Sequence, residues 1–401
     1  MTRVSTYSAF TSGLDELQRR QQSMARAQEQ LTSGKRVLRA SDDPTGAARA
    51  ERALAVVARA DTNQRALESS RNAMNLTEAA LSDASTLMQD ARETIVAAGN
   101  PTYSAAERQS LANRLKDIRG QLLAIANRGD GAGGYLFSGQ GTNMEPFNVG
   151  SAGVSYQGNN GEQTVASETA MPVTVDGHAT WMAGRTGNGQ FLARPGTPAS
   201  TTAWVDAGRV SNPSALTGAS YTLTVSGPNQ LTVDRAAVGS TPAASFTIPF
   251  TPGTALDLDG MAFTLQGQPA LGDRFVVEPS TPTLSVFDAL DRAIAGLSNS
   301  GYTLAQTAQA VSDGLRDVES TMTMMQGMHS RVGSVLTAAD QAENRIMDLR
   351  LYGQSERSAA EDLDMTQAIS DFQTQQTGFD AALKSYAQVQ RMTLFDYING
   401  R

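Results

Sequence analysis

Residues 31–48 read Leu-Thr-Ser-Gly-Lys-Arg-Val-Leu-Arg-Ala-Ser-Asp-Asp-Pro-Thr-Gly-Ala-Ala, and they hold the end of one helix and the start of the next. Gly34 suits a helix C-cap, because glycine adopts the left-handed conformation without a steric penalty. Asp43 suits the N-cap of the following helix, and Pro44 suits its first position, where no backbone N–H is needed. The stretch therefore predicts a long helix on each side of a short joint.

Apolar residues recur at alternating three- and four-residue intervals before this joint and again near the C-terminus. This spacing keeps one stripe of a helix facing a partner helix. Glutamines at some of these positions favour register or partner choice over the stability of an isolated pair. The two stripes are Tyr7, Phe10, Leu14, Leu17, Gln21, Met24, Gln28 and Leu31, and Ile369, Phe372, Gln376, Phe379, Leu383, Tyr386 and Gln390. We predict that the terminal helices pair, and that copies of the chain cover the remaining apolar surface.

Three more seams of the same spacing lie inside the chain, at 81–95, 111–125 and 304–339. Ser104 and Glu107 form a capping-box pattern before the second of these seams, and Gly129 is expected to end that helix. Packing within a helical bundle is the simplest interpretation of the inner seams.

The middle of the chain has a different composition, since 12 of the 14 prolines lie within 135–283. Proline breaks helix interiors. Residues 221–234 alternate Thr and Val around Gly227-Pro-Asn, which predicts a β-hairpin. The stretch is interpreted as an antiparallel β domain inserted between helices, because the helical pattern resumes at Ser285.

The sequence thus predicts an α+β multidomain fold, in which long N- and C-terminal helices pair as a coiled coil or helical bundle around an inserted antiparallel β domain. Residues 1–40 with 360–401 form the terminal assembly domain. Residues 41–134 with 284–359 form the inner helical bundle, and residues 135–283 form the β domain.

Composition excludes several functions. The net charge of -8 argues against nucleic acid and membrane surfaces as partners. There is no cysteine and there are only two histidines, His178 and His329, which leaves no thiolate site and no His-Glu-x-x-His zinc site. We predict no catalytic residues, no metal and no cofactor, and see neither a cleaved signal peptide nor a transmembrane helix.

Residues 31–48 resemble the N-terminal signature of the bacterial flagellin family. Gly134–Gly139, Gln373–Phe379 and Met392–Ile398 resemble the hook-associated members of that family more than filament flagellin. The motif positions are Gly34, Lys35, Arg36, Asp42, Asp43 and Pro44 at the N-terminal end, and Leu363, Gln375, Leu383, Leu394 and Phe395 at the C-terminal end.

The resemblance implies a hook-filament junction subunit that self-associates in a ring and contacts hook-associated protein 1 and flagellin. It also implies an extracellular place in the flagellum, reached through the flagellar type III export apparatus with an FlgN-type chaperone and an uncleaved signal. Lys35 and Arg36 are candidates for contact with acidic neighbours in the ring, or for a hinge at 34–36, whereas Arg3 and Arg39 are expected to be solvated.

Three other functions stay open. The chain could be a filament flagellin, which copy number would distinguish. It could be a secreted adhesin or effector whose β domain presents Trp181 and Trp204 to a ligand. The third is an enzyme within the insert, although no set of residues there forms a catalytic pattern.

Overall fold

The structure, a computed structural model, describes the backbone of residues 6–141, 143–151, 153–165, 170–239 and 241–398, and within these ranges the side chains of 11–388. The described helices are α1 (Thr6–Ser33), α2 (Pro44–Ala98), α3 (Ala105–Ala126), α4 (Gly177–Trp181), α5 (Val286–Ser298), α6 (Leu304–Glu361) and α7 (Met365–Ile398). The described strands are β1 (Phe147–Gly150), β2 (Gly153–Tyr156), β3 (Thr164–Val165), β4 (Met171–Pro172), β5 (Phe191–Pro195), β6 (Ala203–Val205), β7 (Arg209–Val210), β8 (Tyr221–Gly227), β9 (Gln230–Arg235), β10 (Ala244–Pro249), β11 (Ala255–Leu258), β12 (Met261–Gly267) and β13 (Arg274–Pro279). Long terminal helices with antiparallel sheets between them confirm the predicted fold class.

The chain divides into two compact units, residues 1–64 with 343–401 and residues 65–342. The first unit therefore takes in 41–64 and 343–359, which the sequence analysis assigned to the inner bundle. No described helix combines the length and the apolarity needed to cross a bilayer.

The helical core of the 65–342 unit follows the predicted seams closely. Leu81, Met88 and Ile95 of α2 are fully buried, as are Leu115 and Leu122 of α3. In α6 the buried positions of the predicted seam are Val311, Val318, Met325, Val332 and Ala339, whereas Leu304 at the start of the seam is 72% exposed. Ser104 and Glu107 form the predicted capping box, but α3 ends at Ala126 rather than at Gly129, because Asn127 caps it.

Residues 135–182 belong to this helical core rather than to a separate β domain. Trp181 is fully buried and stacks on Phe287 of α5, with ring centroids 5.9 Å apart. Phe137 meets the same indole edge-on at 5.5 Å. The predicted β domain at 135–283 therefore contributes its first part to the helices, because this aromatic cluster needs α5 to complete it.

A second core lies between two antiparallel sheets built from β5 to β13. One sheet has the order β10-β9-β8-β13-β5, and the other has the order β11-β12-β6 with β7 also paired to β12. Alternate residues point inward, as expected for strands with one buried face. Leu223, Val233, Phe263, Phe275 and Val277 are all buried there. The predicted hairpin is confirmed, since β8 pairs with β9.

Polar groups on α6 hold strands of this β region. The Arg316 guanidinium donates from Nη1 to Asp313 Oδ1 at 2.7 Å and to the Ala193 carbonyl at 3.2 Å, and from Nε to Asp317 Oδ1 at 3.2 Å. The Val205 N–H donates to Gln309 Oε1 at 2.9 Å. The side chains of Arg316 and Asp317 are only 6% and 2% exposed, so these ions depend on one another for solvation.

Candidate assembly interface

The terminal helices α1 and α7 pair in an antiparallel direction. A Cβ on Gly13 would lie 3.3 Å from the Tyr386 ring, and one on Gly378 would lie 3.0 Å from Arg20 Nη1. Further along the pair, the Ser23 hydroxyl donates to Gln375 Oε1 at 3.1 Å. Residue numbers on α1 rise while those on α7 fall, so the helices run in opposite directions.

The predicted stripe residues divide into two groups. The partly buried members are Leu17, Met24, Leu31, Phe372, Phe379 and Tyr386. In contrast, Leu14, Ile369 and Leu383 are 41%, 46% and 43% exposed. About half of the predicted stripe residues whose side chains the structure describes therefore lie in the contact between α1 and α7. The other half lie on the surface of the helix pair.

The glutamines do not occupy the seam as predicted. Gln21, Gln28 and Gln376 are all exposed. Gly13, Ala27, Ala368, Gln375 and Ala382 are partly buried instead. The small side chains of Gly13, Ala27, Ala368 and Ala382 let the helix backbones approach, which the stripe of large apolar residues did not reveal.

Some predicted residues lie outside the described side chains. These are Tyr7, Phe10, Gln390, Leu394 and Phe395, and Arg3 lies outside the described backbone as well.

The joint between α1 and α2 is bound to the joint between α6 and α7. Gly34 has φ +70°, and its N–H bonds to the Gln30 carbonyl, as a C-cap requires. The Gly34 carbonyl accepts from the Leu363 N–H at 3.0 Å, and the Arg36 N–H donates to the Glu361 carbonyl at 2.7 Å. The C-cap is confirmed, and this backbone pairing ties the start of α7 to the end of α1.

Side chains of the motif strengthen this joint from within the chain. Lys35 Nζ lies 3.2 Å from Glu361 Oε1. Arg36 donates from Nη1 to Asp43 Oδ2 at 3.0 Å and from Nη2 to the Ala360 carbonyl at 2.7 Å. Lys35 and Arg36 thus bind acidic or carbonyl partners in their own chain. The sequence predicted instead that they would contact acidic groups of a ring neighbour. Asp42 Oδ2 accepts from the Arg39 N–H at 2.9 Å.

Asp43 caps α2, and its carboxylate is held in the ionised form. The Gly46 N–H, the Thr45 hydroxyl and Arg36 lower the pKa of Asp43 from 3.8 to about 2. Pro44 is the first helical residue, so the predicted N-cap and N1 positions are confirmed.

We expect Asp43→Asn to lower the thermal midpoint above pH 3.8 and to have little effect near pH 2. The pKa of Asp43 is depressed by folding, so its contribution is complete above pH 3.8 and is lost as the pH falls to about 2. Thermal unfolding followed by circular dichroism across this range measures the difference. Asp15→Asn, on the exposed face of α1, is the control, and equal pH profiles for the two variants would contradict the role of Asp43.

Trp181 and Trp204 do not form one binding face, and the two histidines do not form a metal site within the described residues. Trp181 is buried in the helical core, so it cannot present a binding face. Trp204 on β6 is partly buried. His329 Nε2 lies 3.3 Å from Glu78 Oε1, and His178 lies in α4. Within the described part of the chain, no three His, Asp or Glu side chains are grouped to hold a metal.

Comparison with known families tests the resemblance of residues 31–48 to the flagellin signature. Residues 4–142 match the family model of the bacterial flagellin N-terminal helical region. This part of the chain is similar to the flagellin N-terminal helical region. It includes α1, the joint, α2 and α3, so the resemblance of residues 31–48 to the flagellin signature is confirmed.

Relatives of the flagellin N-terminal region extend the likeness to other parts of the chain. Flagellar hook-associated protein 3 of Salmonella typhimurium is 36% identical over 187 residues, which are 46% of this chain and 55% of that protein. The chain thus spans little more than half the length of this relative. The crystal structure of Xanthomonas campestris FlgL has a TM-score of 0.68 at 25% identity, covering 77% of this chain and 99% of that one. Flagellar hook-associated protein-3 from Legionella pneumophila also has a TM-score of 0.68 at 25% identity, covering 76% of this chain and 96% of that one.

Proposed function

We propose that the chain is a structural, non-enzymatic subunit of the bacterial flagellum that joins the hook to the filament by self-assembly of its terminal helices. The observation that carries the proposal is the likeness to the Xanthomonas campestris FlgL structure, which this chain matches over 99% of its length. The alignment with hook-associated protein 3 of Salmonella typhimurium supports the same role.

The terminal helix pair supplies a physical basis for assembly. Leu14, Ile369 and Leu383 are each more than 40% exposed, although their spacing places them beside the seam. Exposed apolar side chains of this kind are covered when subunits associate. Self-association in a ring is therefore the state in which this part of the chain is expected to work.

The other partners follow from the place in the organelle. A junction subunit contacts hook-associated protein 1 on one side and flagellin on the other. It leaves the cell through the flagellar type III export apparatus, with an FlgN-type chaperone, and lies outside the cell in the finished flagellum. These partners and this location are part of the proposal.

A strain lacking the chain tests the function directly. We expect hooks to be present, flagellin to be released into the medium, and no filament to be attached. Electron microscopy of the cells and immunoblotting of the medium give the two readouts, and expression of the intact chain is expected to restore attached filaments.

The alternatives give different results in the same strain. Loss of filaments without released flagellin would identify the chain as the filament flagellin itself. Normal attached filaments with loss of binding to host cells would favour an adhesin. Either result would overturn the junction role.

A further inference from the structure

A cavity of about 410 Å³ lies between β6 and the helices of the 65–342 unit, and we name it the Trp204 cavity. Its volume is in the range of small-molecule sites, about 300–1,000 Å³. A Cβ on Gly99 would lie 3.2 Å from Val311 Cγ1, so the chain that follows α2 packs directly on α6 at one wall. The lining side chains include Pro101, Arg108, Trp204, Leu304, Thr307 and Leu315.

The Trp204 indole faces this cavity rather than the core of the β region. Trp204 is the middle residue of β6, and its neighbours Ala203 and Val205 are buried between the sheets. Because successive side chains of a strand point to opposite faces, the indole lies on the side of the helices. Its N–H donates no hydrogen bond to any residue that the structure describes. One wall of the cavity is therefore an aromatic surface that carries a free donor.

Arg108 of α3 brings a positive charge to the same cavity. Its side chain is partly buried, and Nη1 donates to the Tyr103 carbonyl at 2.8 Å. Within the described part of the chain, its guanidinium forms no ion pair with a carboxylate. A cation that has lost part of its water and has no anion beside it is stabilised by an anionic ligand.

The charges of a larger cavity are already paired. That cavity, of about 550 Å³, is lined by residues of α5, α6 and β5. Asp317 there lies 3.3 Å from Arg292 and 3.2 Å from Arg316. Arg194 donates to Glu278 at 2.9 Å. An anion entering the larger cavity would have to displace a carboxylate, whereas the Trp204 cavity has no such competitor.

We infer that the Trp204 cavity binds a small organic anion with a flat apolar body, such as an aromatic carboxylate. The body of the ligand packs against Trp204 and covers Leu304, which is 72% exposed. The carboxylate accepts from Arg108, whose planar guanidinium matches the two carboxylate oxygens. No residue of the cavity belongs to α1 or α7, so the inference goes beyond the junction role and does not depend on it.

Nuclear magnetic resonance of the full chain, isotope-labelled on its tryptophans, tests this site, because Trp181 and Trp204 are its only two indoles. Trp204→Phe assigns the two N–H signals. Added naphthoate is expected to shift the Trp204 signal with a Kd of about 1 mM or tighter, as for a ligand of about 13 heavy atoms. The Trp181 signal is expected to stay unchanged, because that indole is fully buried in the helical core.

Arg108→Gln and a neutral probe separate the charge contact from the apolar contact. The variant is expected to weaken naphthoate binding by at least about tenfold and to leave the binding of naphthamide, the uncharged amide of the probe, almost unchanged. Arg114→Gln is the matched control, since Arg114 is an exposed arginine of the same helix that does not line the cavity. Ala308→Phe adds a large side chain to the cavity wall, so it is expected to abolish the binding of both probes.

Several results would overturn the inference. An unchanged Trp204 signal at about 10 mM naphthoate would show that the cavity does not take this class of ligand. Equal affinity for naphthoate and naphthamide, or equal loss in Arg108→Gln and Arg114→Gln, would remove the role of the Arg108 charge. Binding that survives Ala308→Phe would place the probe elsewhere. Tighter binding of an acetylated Asp-Phe amide dipeptide than of naphthoate would assign the cavity to a protein partner. The junction role is read separately, from the strain lacking the chain.

Discussion

Replacing Gly139 by alanine is expected to destabilise the 65–342 unit by at least about 3 kcal/mol. The backbone of Gly139 has φ +69°, and a Cβ there would lie 1.6 Å from the carbonyl oxygen of Asn159. The loop cannot move away freely, because the Gly139 N–H bonds to the Val175 carbonyl at 3.1 Å and the Gln140 N–H bonds to the Asn159 carbonyl at 3.0 Å. Urea unfolding followed by Trp181 fluorescence, in a Trp204→Phe background, measures the loss.

Gly131→Ala separates the close contact from the backbone conformation. Gly131 also has a positive φ, +80°, but a Cβ there would meet no atom within 4 Å. Only the left-handed conformation is penalised, at about 1 kcal/mol. Equal losses for the two variants would show that the contact with Asn159 has no energetic weight.

The sequence predicted the features that depend on local signals. Gly34, Asp43 with Pro44, and Ser104 with Glu107 are helix caps, which are determined within a few residues of the chain. The inner seams were also predicted, because a helix packed between partners buries or partly buries most apolar residues of its stripe; Leu304, at 72% exposed, is the exception.

The phase of the terminal seam was not predicted correctly. Large apolar residues were assigned to the contact, whereas Gly13, Ala27, Ala368 and Ala382 take alternate positions and turn Leu14 outward. Small residues spaced fourteen residues apart on each helix were the signal that could have revealed this phase. A hydrophobic pattern alone cannot separate residues that face a helix of the same chain from residues that face another molecule.

The position of residues 135–182 could not be predicted because it depends on non-local contacts. Phe137 and Trp181 are buried in one cluster with Phe287, more than a hundred residues later in the chain. The proline content of 135–283 correctly indicated non-helical structure, but it carries no information about which core that structure joins. The ion cluster at Arg316 was missed for the same reason, since its carbonyl partner lies on β5.

Arg316→Ala is expected to lower the free energy of unfolding of the 65–342 unit by about 3–5 kcal/mol at neutral pH. The change removes the cation that Asp313 and Asp317 share and leaves the Ala193 carbonyl without its donor. Arg292→Ala is the matched control: Arg292 lies 3.3 Å from Asp317 but is 52% exposed, so its loss is expected to cost no more than about 1 kcal/mol. Urea unfolding of both variants gives the comparison.

The pH dependence of Arg316→Ala distinguishes lost charge pairing from lost packing. Burial raises the pKa of Asp313, and the Arg316 charge opposes that rise. Without Arg316 the pKa of Asp313 rises further, so the folded state takes up a proton that the unfolded state does not hold at the same pH. The free energy of unfolding of the variant is therefore expected to increase as the pH is lowered from neutrality towards the range in which Asp313 is protonated. The difference in free energy of unfolding between the natural chain and the variant is expected to shrink over the same range. A deficit that stays constant over this range would assign the loss to the cavity left by the arginine side chain, and the carboxylates would then have no role in the destabilisation.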